Sequence, residues 1–583
     1  MEILLTALNA KFIHSSLALR YLKSYCQEEF EINLAEYTIN QASDYIAAEI
    51  YKQAPDLVGF SCYIWNIDKV LEVVKILKQV KPELLIVLGG PEVSYDPVLL
   101  MEQHQEIDYL VYGEGEETFQ QLLTDLTSGK NCEEVFGLVY RSQQGVIKNE
   151  PRSLLKLDQV PSPYLSLEGL EHKIVYFETN RGCPFNCQYC LSSTLSAVRY
   201  FPLELVKEEL LKLIEADVKQ VKFVDRTFNC DQKRALEIFE FLVENKPSDS
   251  DLNFHFEITA DLLSGEILDF LKDVPSGYFQ FEIGIQSTNP KTLELIDRKV
   301  DFNRLAEVVK KLQAAGNIHL HLDLIAGLPA EDYRTFINSF NDVYQLQPGR
   351  LQLGFLKLLK GSGLREMAEE YGYLYLKTPP YQVLKNNWLS YQELLQLQMV
   401  EEVLETFFNT HHFDHSLKFI EQNFYQAPFS LWADLADFWE GKGYYRYSHN
   451  LESLYQILQE FYQDYCSERS DLFNEILKFD YLLRRRRVNL PEFLDKYEVE
   501  DYDQKFRNFT ADQKRVKEVI PNLAEYSARK IRRKIQIETF KYDILEVIKE
   551  PSKDVDDSLT TILFNYQQRD RLFNKVEFNR VQL

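Results

Sequence analysis

Residues 173–190 read Lys173-Ile174-Val175-Tyr176-Phe177-Glu178-Thr179-Asn180-Arg181-Gly182-Cys183-Pro184-Phe185-Asn186-Cys187-Gln188-Tyr189-Cys190. An apolar run with β-branched and aromatic residues, 173–178, reads as a strand. A loop follows that packs three cysteines into eight residues. Outward from this strand, strand-like and helical patterns alternate to about residue 370. The strand-like runs fall at 173–178, 220–224, 254–258, 278–284, 319–325 and 351–356, with helical patterns between them such as 203–215 and 232–243. Six such βα units predict a partial or complete parallel barrel, whose functional groups gather at the carboxyl ends of its strands. The cysteine loop follows the first strand and therefore belongs at that mouth.

The preceding 130 residues alternate in the same way. Strand-like runs at 2–8, 57–62, 84–88 and 109–112, with a weaker one at 32–37, are separated by helical patterns such as 16–25 and 68–79. This predicts a doubly wound, Rossmann-like parallel sheet. Such sheets bind ligands beyond the carboxyl ends of their strands. Those positions carry Asn9, the segment 61–66, Gly89-Gly90-Pro91-Glu92 and Gly113-Glu114-Gly115-Glu116. Taken alone, the glycines serve as tight strand-to-helix turns, and they do not spell a dinucleotide fingerprint. Residues 131–172 read as a connector with a short hairpin, 137–141 and 146–148 around Gly145, ended by Pro161 and Pro163. From about residue 385 glycine is rare and helical periodicity dominates, as in 394–407 and 451–465. The expected organisation is an α/β chain: a doubly wound domain over 1–130, a connector over 131–172, a barrel over 173–370 and a mainly α region over 371–583.

Composition narrows the function classes. The 583 residues are 45% hydrophobic and 27% charged, an ordinary folding composition long enough for three or four domains. A net charge of −25 argues against general nucleic-acid binding. The two basic runs, 484–487 and 529–534, read as solvated or salt-bridged helix faces. No basic leader opens the chain and no run approaches the length of a membrane span. The expectation is a soluble, cytoplasmic protein with reduced thiols. Cys26, Cys62, Cys132, Cys230 and Cys466 are scattered, so the clustering of the other three needs a cause.

Their spacing is C-x3-C-x2-C. Thiolates are soft ligands for zinc, copper(I) or iron–sulfur clusters. Structural zinc wants four ligands, and a fourth nearby Cys or His is missing. Ferredoxin-type clusters use four cysteines at other spacings. Three thiolates on one loop suit a cubane with one iron left open, while a zinc knuckle completed by a distant His stays as an alternative. The loop resembles the signature of the radical S-adenosylmethionine enzymes, including the aromatic Tyr189 before the last cysteine. The resemblance implies a 4Fe–4S cluster on Cys183, Cys187 and Cys190 whose open iron chelates S-adenosylmethionine. It implies reductive cleavage to a 5′-deoxyadenosyl radical that abstracts hydrogen from substrate, and an electron donor such as flavodoxin or ferredoxin. The implied fold is a partial (β/α)6 barrel.

Further segments resemble that family's barrel: Val224-Asp225-Arg226-Thr227-Phe228-Asn229, Phe256-Glu257-Ile258, Phe281-Glu282-Ile283-Gly284-Ile285-Gln286-Ser287 and Leu322-Asp323-Leu324-Ile325-Ala326-Gly327-Leu328-Pro329. By resemblance, Glu257, Glu282, Gln286 and Ser287 are candidates for contacts to S-adenosylmethionine. Tyr189, Asp225 and Asp323 are catalytic candidates, the aspartates facing cofactor or substrate. The domain order resembles the cobalamin-binding branch of the family. It implies cobalamin held by Asn9, Ser61, Tyr63, Trp65, Asn66, Gly89, Gly90, Glu92, Gly113, Glu114, Gly115 and Glu116. Many cobalamin domains carry D-x-H-x-x-G after the first strand. Here the region reads Asn9-Ala10-Lys11-Phe12-Ile13-His14-Ser15-Ser16, which implies cobalt without a protein imidazole beneath it. His14 itself reads as a surface or capping residue.

The expected reaction is methyl transfer to an unactivated carbon or to phosphorus, with one S-adenosylmethionine supplying the methyl group and a second the radical. Radical rearrangement, cyclisation or ring contraction without methyl transfer is the alternative. A non-catalytic sensor of cobalamin or iron status is an alternative of another class. The substrate, small molecule or peptide, is not legible. The helical region is expected to shape the substrate site or its lid, with an independent interaction module as the other reading.

Overall fold

Strand β1, Ile3–Asn9, is buried along its whole length, as expected of a central parallel strand covered on both faces. The computed structural model describes residues 1–194, 197–216, 218–248, 250–486, 490–494, 497–553 and 555–582. β1 pairs in parallel with β2 (Ile32–Thr38) on one side and β3 (Leu57–Ser61) on the other. β4 (Leu85–Gly89) and β5 (Tyr109–Val111) extend the parallel set, and β6 (Leu138–Ser142) and β7 (Gly145–Lys148) add an antiparallel edge. The order is β2-β1-β3-β4-β5-β6-β7. Chain direction across the sheet reverses beside β1, which opens a crevice at the carboxyl ends. Helices Leu17–Cys26 and Glu116–Ser128 pack together, as do Ser43–Lys52 and Ile67–Val80. Two apolar cores result.

The hairpin expected inside the connector thus belongs to the first sheet. Leu138, Val139 and Tyr140 are buried in succession, and Tyr140 lies opposite Tyr109. Burial on both faces makes this stretch a sheet member and not a surface linker.

β8 (Ile174–Phe177) starts the second strand set. A two-residue strand β9 (Asn180–Arg181) then pairs with β10 (Arg199–Tyr200) across the cysteine loop. β11 (Gln220–Phe223), β12 (Asn253–Ile258) and β13 (Phe279–Gln286) follow, and β8, β11, β12 and β13 are parallel neighbours in that order. Side-chain alternation sorts their two faces. Phe223, Phe254, Phe256, Phe279 and Phe281 are buried, and Phe239 of the helix Gln232–Glu244 packs onto Phe256 and Phe279 with ring centroids 5.1 and 5.2 Å apart. The opposite face carries Lys222, His255, Glu257, Glu282 and Gln286. One face packs on helices and the other offers polar groups to a lumen.

The chain forms two compact units. The first comprises Met1–Ile318, Gly327–Glu331 and Phe355–Ser390; the second comprises His319–Ala326, Asp332–Gly354 and residues from Tyr391 onward. The fifth and sixth strands expected, β14 (His319–Ala326) and β15 (Arg350–Phe355), form as well, and apart from Phe355 they belong to the second unit.

The second unit is mainly helical, with Tyr391–Val403, Asp414–Phe424, Pro428–Lys442, Leu451–Tyr465 and Ser470–Arg484 as its longer helices. It also holds an antiparallel sheet of Ile535–Tyr542, Asp557–Arg569 and Val576–Arg580, which the helical reading did not anticipate. The alternation Ile535-Gln536-Ile537-Glu538-Thr539-Phe540 carries that signal locally. Lys478 and Glu475, on the helix Ser470–Arg484, form a buried ion pair of 2.8 Å beside the sheet. The basic runs are built into this unit. Arg486 donates to the carbonyls of Ile535 (3.2 Å) and Arg532 (2.7 Å), and Arg532 donates to Thr510 (3.0 Å). Arg487 lies outside the described residues. Among the described residues no helix is long and apolar enough to cross a membrane.

Candidate functional site

A cavity of about 870 Å³ opens at the carboxyl ends of β1, β3, β4 and β5. That is the size class of pockets for sizeable ligands. Asn9, Ser61, Tyr63, Trp65, Gly89, Gly90, Gly113, Glu114, Gly115 and Glu116 line it. Its remaining wall includes Tyr176, Glu178, Arg181, Gly182 and Arg226, together with Leu191, Ser192 and Thr194 just past the last cysteine.

The rim is built by close backbone approach. Cys62 N–H donates to the Gly89 carbonyl at 2.7 Å. Gly90 has φ 114°, and a Cβ there would stand 2.5 Å from the Cys62 carbonyl oxygen, so only glycine fits. Asn66 stitches the loop after β3. Its amide donates to Leu8 (3.1 Å) and Ser61 (2.9 Å) carbonyls and accepts from Tyr63 N–H (2.7 Å). It shapes the rim without lining the cavity. Tyr63 and Trp65 stack at 4.4 Å and 4°, and Trp65 is 49% exposed, which presents a flat aromatic face at the rim. Glu92 is 6% exposed and also stands outside the lining. It pairs with Lys360 at 3.0 Å and accepts from the Tyr381 hydroxyl, which ties residues 360–381 to the turn after β4.

The turn Gly113-Glu114-Gly115-Glu116 is bound to the strand that leads into the cysteine loop. Arg181 reaches Glu116 (2.6 Å), Glu178 (2.9 Å) and Glu114 (3.3 Å). Arg199 also pairs with Glu114, and Leu155 N–H donates to Glu114 at 2.8 Å. Arg181 stands over the Tyr21 ring at 5.2 Å. Burial pushes the Glu178 carboxyl up, against the pull of Arg181.

Backbone bonds fix the cysteine loop. Cys190 N–H donates to the Cys187 carbonyl (3.0 Å), Gln188 N–H to Ile296 (2.9 Å) and Leu364 N–H to Gln188 (2.9 Å). Gly182 has φ 106°, and a Cβ there would fall 2.3 Å from the Ala197 carbonyl oxygen. The three thiols are free. Cys183 Sγ lies 3.6 Å from Thr227 Oγ1, Cys190 Sγ accepts from Ser192 N–H at 3.4 Å, and buried Cys187 Sγ lies 3.6 Å from the Arg298 guanidinium. Arg298 also donates to the Tyr189 hydroxyl (3.1 Å) and to the Gly284 carbonyl. Burial pushes up both the Cys187 thiol and the Tyr189 hydroxyl, and Arg298 opposes each. Nothing local in the sequence marked Arg298, since its role comes from reaching back across β13.

The barrel-side candidates separate by partner. Asp225 is fully buried and accepts from Thr179 N–H (3.0 Å), Thr179 Oγ1 (2.6 Å) and Asn180 Nδ2 (2.5 Å). Its carboxylate is bonded to the approach to the cysteine loop and lies outside the cavity lining. Burial raises its carboxyl to about 7 despite these donors. Glu282 accepts from Lys222 and His255, each at 2.9 Å. Burial pushes the Glu257 carboxyl up, and Arg226 pulls it down. Gln286 adopts φ 73° and folds over Gly284, where a Cβ would stand 2.3 Å from its amide nitrogen. Among the described residues its buried Oε1 meets no donor. Ser287 donates to buried Glu331 at 2.6 Å, a partner the sequence did not single out. Asp323 lies on β14 in the second unit, 3.2 Å from His321.

His14 is a wall residue of the cavity and not a cap. Its Nδ1 pairs with the Tyr176 hydroxyl at 2.7 Å. Burial, then Lys11, Lys222 and Lys173, lower its pKa and favour the neutral ring.

Among the described residues no group of three or more His, Cys, Asp or Glu side chains is drawn together around a single ion. The loop's donor set is three thiols with neither imidazole nor carboxylate, a soft set that fits an iron–sulfur cluster. Gln286 Oε1, without a donor among the described residues, leaves an acceptor for a bound donor group.

Comparison with known proteins matches three family models along the chain. Residues 3–123 match the B12 binding domain, residues 177–343 the radical SAM superfamily, and residues 369–564 a family described as a protein of unknown function, DUF4080. The cobalamin-dependent radical SAM methyltransferase TokK of Streptomyces tokunonensis is 32% identical over 403 residues, which are 62% of this chain and 55% of that protein. The uncharacterized methyltransferase PH0819 of Pyrococcus horikoshii is 30% identical over 329 residues, 54% of this chain and 70% of that one. The 2-(S-pantetheinyl)-carbapenam-3-carboxylate methyltransferase of Streptantibioticus cattleyicolor is 34% identical over 48% of this chain and 44% of its own length. The chain therefore spans about half the length of the first and third of these relatives. Among solved structures, the methyltransferase TsrM from Kitasatospora setae, with cobalamin and a [4Fe-4S] cluster bound, superposes with TM-score 0.56 at 19% identity over 65% of this chain and 76% of that one. The cobalamin-dependent radical enzyme OxsB, with aqua-cobalamin and S-adenosylmethionine bound, gives TM-score 0.56 at 15% identity over 82% and 78%. At these identities the structures speak for a shared fold.

Proposed function

The chain belongs to the radical S-adenosylmethionine enzymes that carry a B12-binding domain, and on that premise we propose that it moves a methyl group from S-adenosylmethionine to an unactivated carbon or to phosphorus. One observation carries the reading: the cavity beyond β1–β5 and the cysteine loop share a wall, through Arg181, Gly182, Leu191 and Ser192. A methyl carrier in the first and a radical generator on the second would then face one substrate.

Cys183, Cys187 and Cys190 would hold a 4Fe–4S cluster, and the cavity would hold cobalamin against the glycine turns at 89–90 and 113–115 and the stacked Tyr63 and Trp65. When bound, the reduced cluster supplies the electron that splits S-adenosylmethionine to a 5′-deoxyadenosyl radical, and cobalamin carries the methyl group. The chain's own groups bind and orient. Glu257 and Gln286 offer acceptors to the amino or ribose groups of S-adenosylmethionine. Arg298 holds Tyr189 and the backbone at Gly284 while standing over Cys187. Asp225 fixes Thr179 and Asn180 ahead of the loop. The low-potential electron would come from a partner such as flavodoxin or ferredoxin. A cytoplasmic setting keeps the eight free cysteines reduced.

Reconstituted anaerobically and given a reductant, the protein is expected to release 5′-deoxyadenosine. A fully loaded protein that makes none would overturn the radical reading and favour a sensor of cobalamin or iron status. A purified protein holding zinc and no iron would overturn the cluster.

A further inference from the structure

Two arginines line the cavity, and their circumstances are opposite. Arg181 is largely buried and commits its donors to Glu114, Glu116 and Glu178. Arg226 is exposed to the cavity. Among the described residues its guanidinium has no hydrogen-bond acceptor and no carboxylate at ion-pair distance. Its backbone is not loose. It follows β11 directly after Asp225, which is clamped to Thr179 and Asn180, and its carbonyl accepts from Thr227 Oγ1 at 2.8 Å. The charge acts in two directions, on the Tyr63 hydroxyl at the rim of the first sheet and on the Glu257 carboxylate of β12.

That position lies between the two sides that the methyl-transfer reading requires. Tyr63 and Trp65 border the methyl carrier's cavity, and Glu257 stands on the polar face of the strand set whose first strand leads into the cysteine loop. A substrate atom that loses hydrogen on one side and gains a methyl group on the other must sit between them. A guanidinium with its fork unspent is built to grip a carboxylate or phosphate through two parallel hydrogen bonds. We propose that Arg226 is a substrate-recognition residue that binds an oxyanion of the substrate, carboxylate or phosphate, and that the acceptors of this enzyme are therefore anionic molecules. The inference rests on the methyl-transfer reading. The same chemistry could come from cobalamin's phosphate or from the carboxylate of S-adenosylmethionine, and the experiment must separate these sources.

The holoenzyme, loaded with cluster and cobalamin, is incubated with methyl-labelled S-adenosylmethionine, a reductant and a small-molecule extract split on an anion exchanger into retained and unretained fractions. Label is expected in a product from the retained fraction. Arg226→Gln should raise the amount of that fraction needed for half-maximal labelling at least about tenfold, as expected for a lost charge-assisted pair, and Arg226→Lys should recover part of the loss. The variant's cobalamin absorbance and its binding isotherm for S-adenosylmethionine should stay within about twofold of the parent. Label arising from the unretained fraction alone overturns the proposal. Lost cobalamin assigns the oxyanion to that cofactor, and a weakened S-adenosylmethionine isotherm assigns it to the co-substrate; either overturns it. Equilibrium dialysis with inorganic pyrophosphate as probe needs no turnover. The parent should retain the probe at least about tenfold better than Arg226→Gln, and equal retention overturns the proposal. No label and no 5′-deoxyadenosine from the parent would defeat the methyl-transfer reading, and with it a substrate role for Arg226 even where the probe is retained.

Discussion

Arg181 Nη2 lies 2.6 Å from Glu116 Oε1, and this pair joins the two halves of the site. Glu116 opens the helix Glu116–Ser128 at the cavity turn, and Arg181 stands two residues before Cys183. The strand that aims the cysteine loop is therefore pinned to the wall of the neighbouring cavity. Both side chains are little exposed, at 13% and 7%. Removing one partner leaves the other charge buried without compensation, which costs about 3–5 kcal/mol in such settings. Arg181→Met should lower the unfolding midpoint accordingly and impair loading of both iron and cobalamin. Loss of one cofactor with full retention of the other would show that the pair does not couple them.

The glycine turns give a sharper steric test. Gly90→Ala places a Cβ 2.5 Å from the Cys62 carbonyl at φ 114°, so the rim must move. Cobalamin retention should fall while iron content stays near the parent's. Gly182→Ala should lower iron content more than cobalamin retention, because its clash is with the Ala197 carbonyl oxygen next to the β9–β10 pairing that holds the cysteine loop. Swapped or identical outcomes would contradict the assignment of the two sites.

Asp225 acts by position. Asp225→Asn keeps the shape and an acceptor oxygen that can stand where Oδ1 takes Thr179 N–H, Thr179 Oγ1 and Asn180 Nδ2, but it removes the charge and turns its NH2 toward Thr179 N–H at the Oδ2 position. An unmet buried donor costs about 1–3 kcal/mol. Iron incorporation should drop with stability, and Asp225→Glu should not restore it. Full iron loading in Asp225→Asn would return this carboxylate to the list of ligand-facing groups.

Acid should test the second unit. Burial, joined by Arg484 for His412 and by Lys575 for His415, lowers both histidines to about 4. Their ordinary value is 6.5, so the fold prefers them neutral. The stability they contribute is complete above 6.5 and is lost as pH falls from 6.5 toward 4. Asp480, raised to about 7 by burial, works in the opposite direction over the same range. The difference from a His412→Gln, His415→Gln variant therefore isolates the histidines. From urea midpoints, the parent should lose stability relative to that variant as pH drops from 6.5 to 4. Parallel curves would contradict buried neutral rings.

The readings that depended on local pattern match the structure closely. The strands at β1, β3, β4 and β5 and those at β8, β11, β12 and β13 announce themselves by apolar runs, and three cysteines in one loop need no tertiary information. Roles set by distant partners were not legible. Glu92 stands at a strand end like its neighbours, yet Lys360 and Tyr381 draw it away from the cavity. Asn66 and Asp225 likewise serve the backbone near the site and not the cavity itself. Arg298 became visible only once it reached back across β13 to the cysteine loop, and Glu331, which follows β14, only once it met Ser287. The C-terminal sheet was masked because the helix Ile544–Lys549 falls between its first two strands, inside a stretch whose neighbours are all helical.

The central claim is methyl transfer from S-adenosylmethionine. It is tested most directly by anaerobic incubation of the cluster- and cobalamin-loaded protein with cell extract and S-adenosylmethionine carrying a trideuterated methyl group, followed by mass spectrometry. The account predicts one new product heavier than its acceptor by a deuterated methyl group, formed alongside 5′-deoxyadenosine and absent with Cys187→Ala. Deuterium recovered only in methionine, with 5′-deoxyadenosine still produced, would contradict methyl transfer and point to rearrangement or cyclisation.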